Sequence, residues 1–200
     1  SAPGNNRKST LVAGGSFDGS LVLARDTGDG AGARTVLTEK VAHGGAIKDV
    51  CFFGPNVIVT ASKDSTLGVW RLESPSNATD DAALAVVRVA TCVGHADAVE
   101  TVSVAPSSTS VTEALLLTGG WDALLRLYEV NTETSSTKAG GEPPEAKPAS
   151  KKGAKRRAPA AAAATVKPSM TLRGHTDKIS GAVWGGSRGS RDPVTAYTSS

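Results

Sequence analysis

The chain has 200 residues, 39% of them hydrophobic but only 4% aromatic, and a formal net charge of +3. That content builds a globular core filled mostly by Val, Leu and Ala. No apolar run approaches the ~18 residues of a membrane span, and the opening Ser-Ala-Pro-Gly-Asn-Asn-Arg-Lys contains no apolar signal core.

The positive balance is local. Residues 147–157 hold six basic side chains and no acid, so the rest of the chain is mildly acidic. Cys51 and Cys92 fall in predicted strands about one repeat apart. They read as buried free thiols rather than a disulfide, which points to a reducing compartment.

In chain order, residues 1–9 read as a lead-in. Leu11–Ser16 and Ser20–Arg25 are predicted strands joined at Asp18-Gly19, a hairpin signal. Arg34–Lys40 is the outer strand that leads to His43. Three short β-branched runs follow, Ala46–Phe53, Asn56–Ser62 and Thr66–Leu72, the last two joined by the polar turn Lys63-Asp64-Ser65. Ala83–Val93 is the next outer strand and leads to Gly94-His95. Ala98–Ala105, Ala114–Gly119 and Ala123–Val130 repeat the three runs, with continuous apolar stretches suited to strands covered on both faces. Residues 131–168 contain only one stretch of weak order, a helical turn at Ala160–Ala164. Otherwise their Ser, Thr, Pro, Gly, Ala, Glu and Lys cannot bury enough apolar surface to fold, and they read as a disordered basic insertion. Ser169–Leu172, Lys178–Trp184 and Val194–Ser200 resume the pattern. The domain reading is therefore blades over 1–130, the insertion over 131–168, and the start of a further blade over 169–200.

Four side chains stand out in the stretch His43–Trp70: His43, Thr60, Asp64 and Trp70. A buried imidazole, hydroxyl, carboxylate and indole can be matched donor to acceptor in one hydrogen-bonded relay. The order recurs as His95, Thr118, Asp122 and Tyr128, with the hydroxyl four residues before the Asp and the aromatic six after it. A third set opens with His175 and Thr198. An earlier one keeps Asp18 but has Gly14 and Ala24 at the hydroxyl and aromatic positions. Ser62 has Gly120 as its counterpart, which favours Thr60 and Thr118 as relay members.

Gly-His, two strands, an Asp turn and an aromatic third strand resemble the WD repeat, although no third strand ends in Trp-Asp. The resemblance implies an all-β fold: a partial β-propeller of antiparallel four-stranded blades, about three to four blades of a seven-bladed ring. A part of such a ring leaves blade faces open and is expected to be unstable alone.

A hydrolase using His95, Asp122 and Thr118 is the tempting enzymatic reading. An active site occurs once, whereas a network that holds a blade together recurs, so the relay reads as structural and the chain as no enzyme. His43, His95 and His175 belong to different blades and do not converge on a metal site. No glycine motif for phosphate precedes a helix, and no cofactor, metal, small-molecule substrate or membrane is expected. The basic residues Lys151, Lys152, Lys155, Arg156 and Arg157 read as a solvated linker, a nuclear localisation signal or a phosphate contact for RNA, the last two being compatible. Without interleaved aromatics the run cannot stack on bases, and any RNA binding would be nonspecific and salt-sensitive.

The runs HGGAIKDVCFF, TASKDSTLGVW, CVGHADAVETVSV and LLTGGWDALLRLYEV, then the basic insertion, then MTLRGHTDKISGAVW, are together similar to one family. These are the ribosome-biogenesis WD-repeat proteins that partner Pescadillo and the Block-of-proliferation protein. The resemblance spans about Leu11 to Ser200. It implies a scaffold in large-subunit assembly and ribosomal RNA maturation, located in the nucleus, nucleolus and nucleoplasm. Partners would be those assembly proteins, and pre-ribosomal RNA through the insertion. The alternative is another WD-repeat adaptor, such as a chromatin or ubiquitin-ligase substrate receptor, since propellers host many functions.

Overall fold

The computed structural model describes residues 10–26, 28, 30–73, 84–105, 112–132, 163–185 and 195–199. Every regular element among them is a strand. The first blade is the sheet β1 (Thr10–Gly15), β2 (Leu21–Asp26) and β3 (Ala33–Glu39), in that order. The second runs β4 (Ile47–Phe53), β5 (Val57–Ser62), β6 (Leu67–Glu73) and β7 (Ala85–Cys92), all antiparallel. The third contains β8 (Val99–Val104), β9 (Glu113–Gly120) and β10 (Leu125–Asn131). Its outer strand is β12 (Met170–Leu172), which pairs antiparallel with β10. A fourth sheet pairs β13 (Gly181–Gly185) with β14 (Thr195–Ser199). The architecture is that of a partial β-propeller.

Period-two alternation fills both sides of each central strand. All six residues of β5 are buried. Val57, Val59 and Ala61 pack with Leu67 and Val69 against Val99, Val102, Leu116 and Tyr128 of the third blade. Ile58 faces the other way, onto Leu21, Leu23 and Trp70 beside the first blade. Leu117, Leu125, Ile179 and Ala182 form the corresponding core between the third and fourth blades. The two thiols sit in these strands, and burial pushes both Cys51 and Cys92 up to about 12.

The tight turns recur in backbone as well as sequence. The residue after each turn aspartate is left-handed: Gly19 (φ 83°), Ser65 (φ 69°) and Ala123 (φ 56°). Only the first is the glycine such a conformation favours. In all three turns the aspartate bonds to the residue two on, Asp122 Oδ1 accepting from Leu124 N (3.3 Å). Asp64 Oδ1 accepts from Thr66 N (3.0 Å) and Thr66 Oγ1 (2.6 Å), and Asp18 Oδ1 accepts from Ser20 N (2.9 Å) and Ser20 Oγ (2.6 Å). These bonds hold the Asp18 carboxyl down at about 2.

Two expectations are corrected. The stretch read as unordered up to residue 168 contains a strand, β11 (Ala164–Val166), so Ala164 is extended rather than in a helical turn. It pairs parallel with the outer edge of β7, Ala164 opposite Ala90 and Val166 opposite Cys92, and Val93 N donates to Val166 O at 2.9 Å. Ala164 and Val166 pack against the core between the second and third blades, and the new strand covers part of an exposed edge. The second correction is the inner strand expected from Lys178, which begins only at Gly181. Before it, Ile179 N is engaged by Gly120 O (2.9 Å), which belongs to the third blade.

Candidate functional site

In the second blade His43, on the loop after β3, lies between β5 and the β5–β6 turn. Its Nε2 is 2.7 Å from Thr60 Oγ1 and its Nδ1 2.9 Å from Asp64 Oδ2. Trp70 Nε1 donates to Thr60 Oγ1 at 3.0 Å. The Asp64 carboxylate can only accept, so His43 Nδ1–H donates to it and Nε2 accepts from the Thr60 hydroxyl, which also lies 3.3 Å from Gly68 O; the indole can only donate into that hydroxyl. The protons thus point one way, from Trp70 to the carboxylate. Burial alone would raise the Asp64 carboxyl. Bonds from His43, Thr66 and the Gly44 N–H outweigh it and hold the group well below the carboxylate range.

The indole reaches Thr60 over Gly68, which pairs with Thr60 across the ladder. A Cβ at Gly68 would lie 2.5 Å from Trp70 Nε1 and 2.8 Å from Thr60 Oγ1. The glycine is therefore part of the relay, a member the sequence reading missed. On its other side Trp70 carries Arg88 of β7, whose guanidinium carbon is 4.3 Å from the ring centroid and which donates to Ala42 O.

The third blade brings His95, Thr118 and Asp122 together. His95 Nε2 is 2.8 Å from Thr118 Oγ1, Nδ1 is 3.1 Å from Asp122 Oδ1, and Ala96 N donates to Asp122 Oδ2 at 3.0 Å. Tyr128, expected as the fourth member, is corrected: its hydroxyl donates to Val93 O at 3.3 Å. The reason lies at the position of Gly68, which is Arg126 here. A side chain at this point fills the path an aromatic would take to the threonine.

Arg126 Nη1 instead donates to Asp122 Oδ2 at 2.6 Å and stands 2.7 Å from His95 Nδ1. Nδ1 cannot accept from Arg126 and donate to Asp122 at once. The shorter contact, and the absence of an indole donating into Thr118, assign the Nε2–H tautomer. His95 then donates to Thr118, whose hydroxyl donates to Arg126 O at 3.3 Å. The proton order is the reverse of that in the second blade. Burial pushes His95 below its ordinary value against the pull of Asp122, and Arg126 adds to the lowering. For Asp122, burial acts upward but is outweighed by bonds from Ala96 N–H and Arg126, which leave it depressed.

His175 is half-buried on the loop before β13. Thr198 pairs with Ala182 in the strand register, and its side chain lies outside what is described. The basic residues Lys151, Lys152, Lys155, Arg156 and Arg157 also lie outside the described residues. A further unforeseen residue is Asp49. Both β4 and β8 bulge near their starts, and Asp49 Oδ2 accepts from Val102 N (2.9 Å) and Thr101 Oγ1 (3.2 Å) of the next blade. An acid inside the run IKDVCFF was the available signal.

At the opposite end of the blades, a cleft of about 610 Å³ is lined by Leu11, Arg25, Pro55, Asn56, Leu72, Glu73 and Leu84. The relays and this cleft share no residue.

The family described as "WD domain, G-beta repeat" matches residues 87–129, which run from β7 to the end of the third blade's inner strands. Residues 87–129 match one WD repeat. It is 28% identical over 191 residues, 90% of its length, to the Ribosome biogenesis protein WDR12 homolog of Nematostella vectensis. It is 31% identical over 124 residues (60% of the chain) to that of Chlamydomonas reinhardtii, and 29% identical over 126 residues (63%) to that of Drosophila mojavensis. The chain spans 38%, 25% and 23% of the lengths of these relatives. It resembles ribosome-biogenesis WD-repeat proteins.

Proposed function

We propose that the chain is part of a non-catalytic scaffold in large ribosomal subunit assembly and rRNA maturation, whose blades bind other assembly factors. The observation that carries this reading is the likeness along 90% of the chain to a relative named for ribosome biogenesis. The site supports it. The His-Thr-Asp groups are enclosed, occur in more than one blade, and bond to one another and to backbone, so each works as a strut. The partners would be of the Pescadillo and Block-of-proliferation type, and the location nucleus, nucleolus and nucleoplasm. The basic run Lys151–Arg157 would serve import, pre-ribosomal RNA phosphates, or both in turn.

Gradient sedimentation of the tagged full-length protein tests the scaffold. It should travel with pre-large-subunit particles, and its depletion should accumulate large-subunit rRNA precursors. Sedimentation only as free protein, with normal precursors on depletion, refutes the reading. Replacing Lys151, Lys152, Lys155, Arg156 and Arg157 by Gln should lower nuclear accumulation without changing thermal unfolding. An unchanged nuclear signal, also in cells depleted of the Block-of-proliferation partner, rejects the import role.

A further inference from the structure

Trp121 is one of several exposed large apolar side chains, Phe17 and Val41 among them. It stands at the tip of the β9–β10 turn, 51% exposed, one residue before the relay aspartate. An exposed indole of no use to the core is usually free to move. This one is held from three blades. Its Nε1 donates to Glu100 Oε1 of β8 at 2.6 Å. Glu100 Oε2 is paired at 3.5 Å with Lys48 Nζ of β4. Lys178, on the loop before β13, places its Nζ 5.2 Å from the ring centroid. Neither Glu100 nor Lys178 belongs to the buried relay, so this network fixes the ring without helping to close the blade.

Two more carboxylates lie on the loops beside the turn that carries the ring. Asp97 occupies the repeat position of Gly45, where a Cβ would lie 3.5 Å from the Cβ of Lys63, the counterpart of Trp121. Asp177 precedes Lys178, on the loop whose Ile179 N bonds to Gly120 O beside the indole. Both are exposed, and each caps the following backbone N–H through Oδ1, at 2.7 Å. The loops around this turn thus carry three carboxylates, Glu100 among them paired to Lys48, and two ammonium groups, that of Lys178 already against the ring.

We propose that Trp121 anchors a docking site for an arginine-bearing segment of a partner protein, with the guanidinium stacked on the indole and paired to Asp97 or Asp177. A planar cation suits both demands at once. A ring already fixed loses little freedom on binding, which is the property of an interface anchor. The acidic surround disfavours a phosphate backbone, so the stacked group is a side chain and not a base. The inference rests on the scaffold reading and adds the surface and the chemistry it selects.

The test uses 15N-labelled full-length protein and three probes: acetyl-Gly-Arg-Gly-Arg-Gly-amide, its glutamate analogue, and hexauridylate. The Trp121 indole N–H resonance is assigned by its loss in Trp121→Phe. The arginine peptide should shift that resonance saturably, and Asp97→Asn with Asp177→Asn should weaken binding about tenfold. Asn keeps the Oδ1 caps, so the blades should stay folded. The other two probes should leave the resonance unmoved. The proposal is overturned if hexauridylate or the glutamate peptide binds as tightly as the arginine peptide. It is also overturned if the arginine peptide causes no shift, or if the Asn variant binds like the parent. Co-sedimentation with pre-large-subunit particles separates the two levels. Particle association without peptide binding sinks the surface alone, and peptide binding without particle association sinks the ribosomal setting.

Discussion

Replacing Thr60 and Thr118 by Val separates the two relays by what each replacement leaves unpaired. Val has nearly the shape of Thr and lacks the hydroxyl, so packing is disturbed little. Thr60 is fully buried and serves both His43 Nε2 at 2.7 Å and Trp70 Nε1 at 3.0 Å. Thr60→Val therefore strands two polar groups in a dry site. Each costs about 1–3 kcal/mol, for a total of about 2–6 kcal/mol. Thr118 is equally buried but serves His95 Nε2 alone among side-chain donors, because Tyr128 bonds elsewhere. Thr118→Val should cost only about 1–3 kcal/mol. Urea unfolding of the full-length protein, with the denaturant slope unchanged, measures both. Equal costs, or a larger cost at Thr118, would refute the role given to Trp70.

Three further outcomes follow from the same geometry. Gly68→Ala should displace the indole, cost about 1–3 kcal/mol as an overpacked core position, and red-shift tryptophan emission; unchanged emission and stability would show that the ring does not depend on the glycine. His95, Asp64 and Asp122 all have lowered folded-state values. Their contribution is therefore complete above about 6.5 for the imidazole and about 4 for the carboxyls, and is lost as pH falls. Melting temperatures should drop from pH 7 to 5 and more steeply below 4, and a rise on acidification would contradict the shifts. Deleting 133–162 should preserve cooperative unfolding, whereas extending the deletion through Val166 should destabilise the protein by uncovering the β7 edge; equal melting temperatures for the two would mean that β11 contributes nothing.

Much of this fold was readable because its signals are local and repeated. Short β-branched runs, Asp turns and the spacing from Thr to Asp located the strands within one or two residues over most of the blades. The failures share a cause. β11 is the three residues Ala-Thr-Val, too short for a period, and its pairing with β7 is set by how the chain returns to the third blade. Asp49 and Trp121 are defined by neighbours in adjacent blades, which no single repeat contains. Tyr128 was misread because an aromatic at the position of Trp70 was taken as sufficient, when the residue two before it decides where the ring can go.

That last point shows what the repeat conserves physically. Two blades meet one requirement, a buried imidazole paired to a half-buried carboxylate, by different means. In one, Gly68 leaves a gap, Trp70 crosses it, and the indole N–H supplies the donor at the threonine end. In the other, Arg126 occupies the gap and supplies the donor at the aspartate end, and the imidazole tautomer reverses to match. The swap works only as a pair. A glycine with Tyr128 would leave a void and no donor at the threonine, and an arginine with Trp70 would clash with the indole. Counting donors and acceptors around the His-Thr-Asp core predicts which partners can go together, and the aromatic is best read with its neighbour two residues upstream.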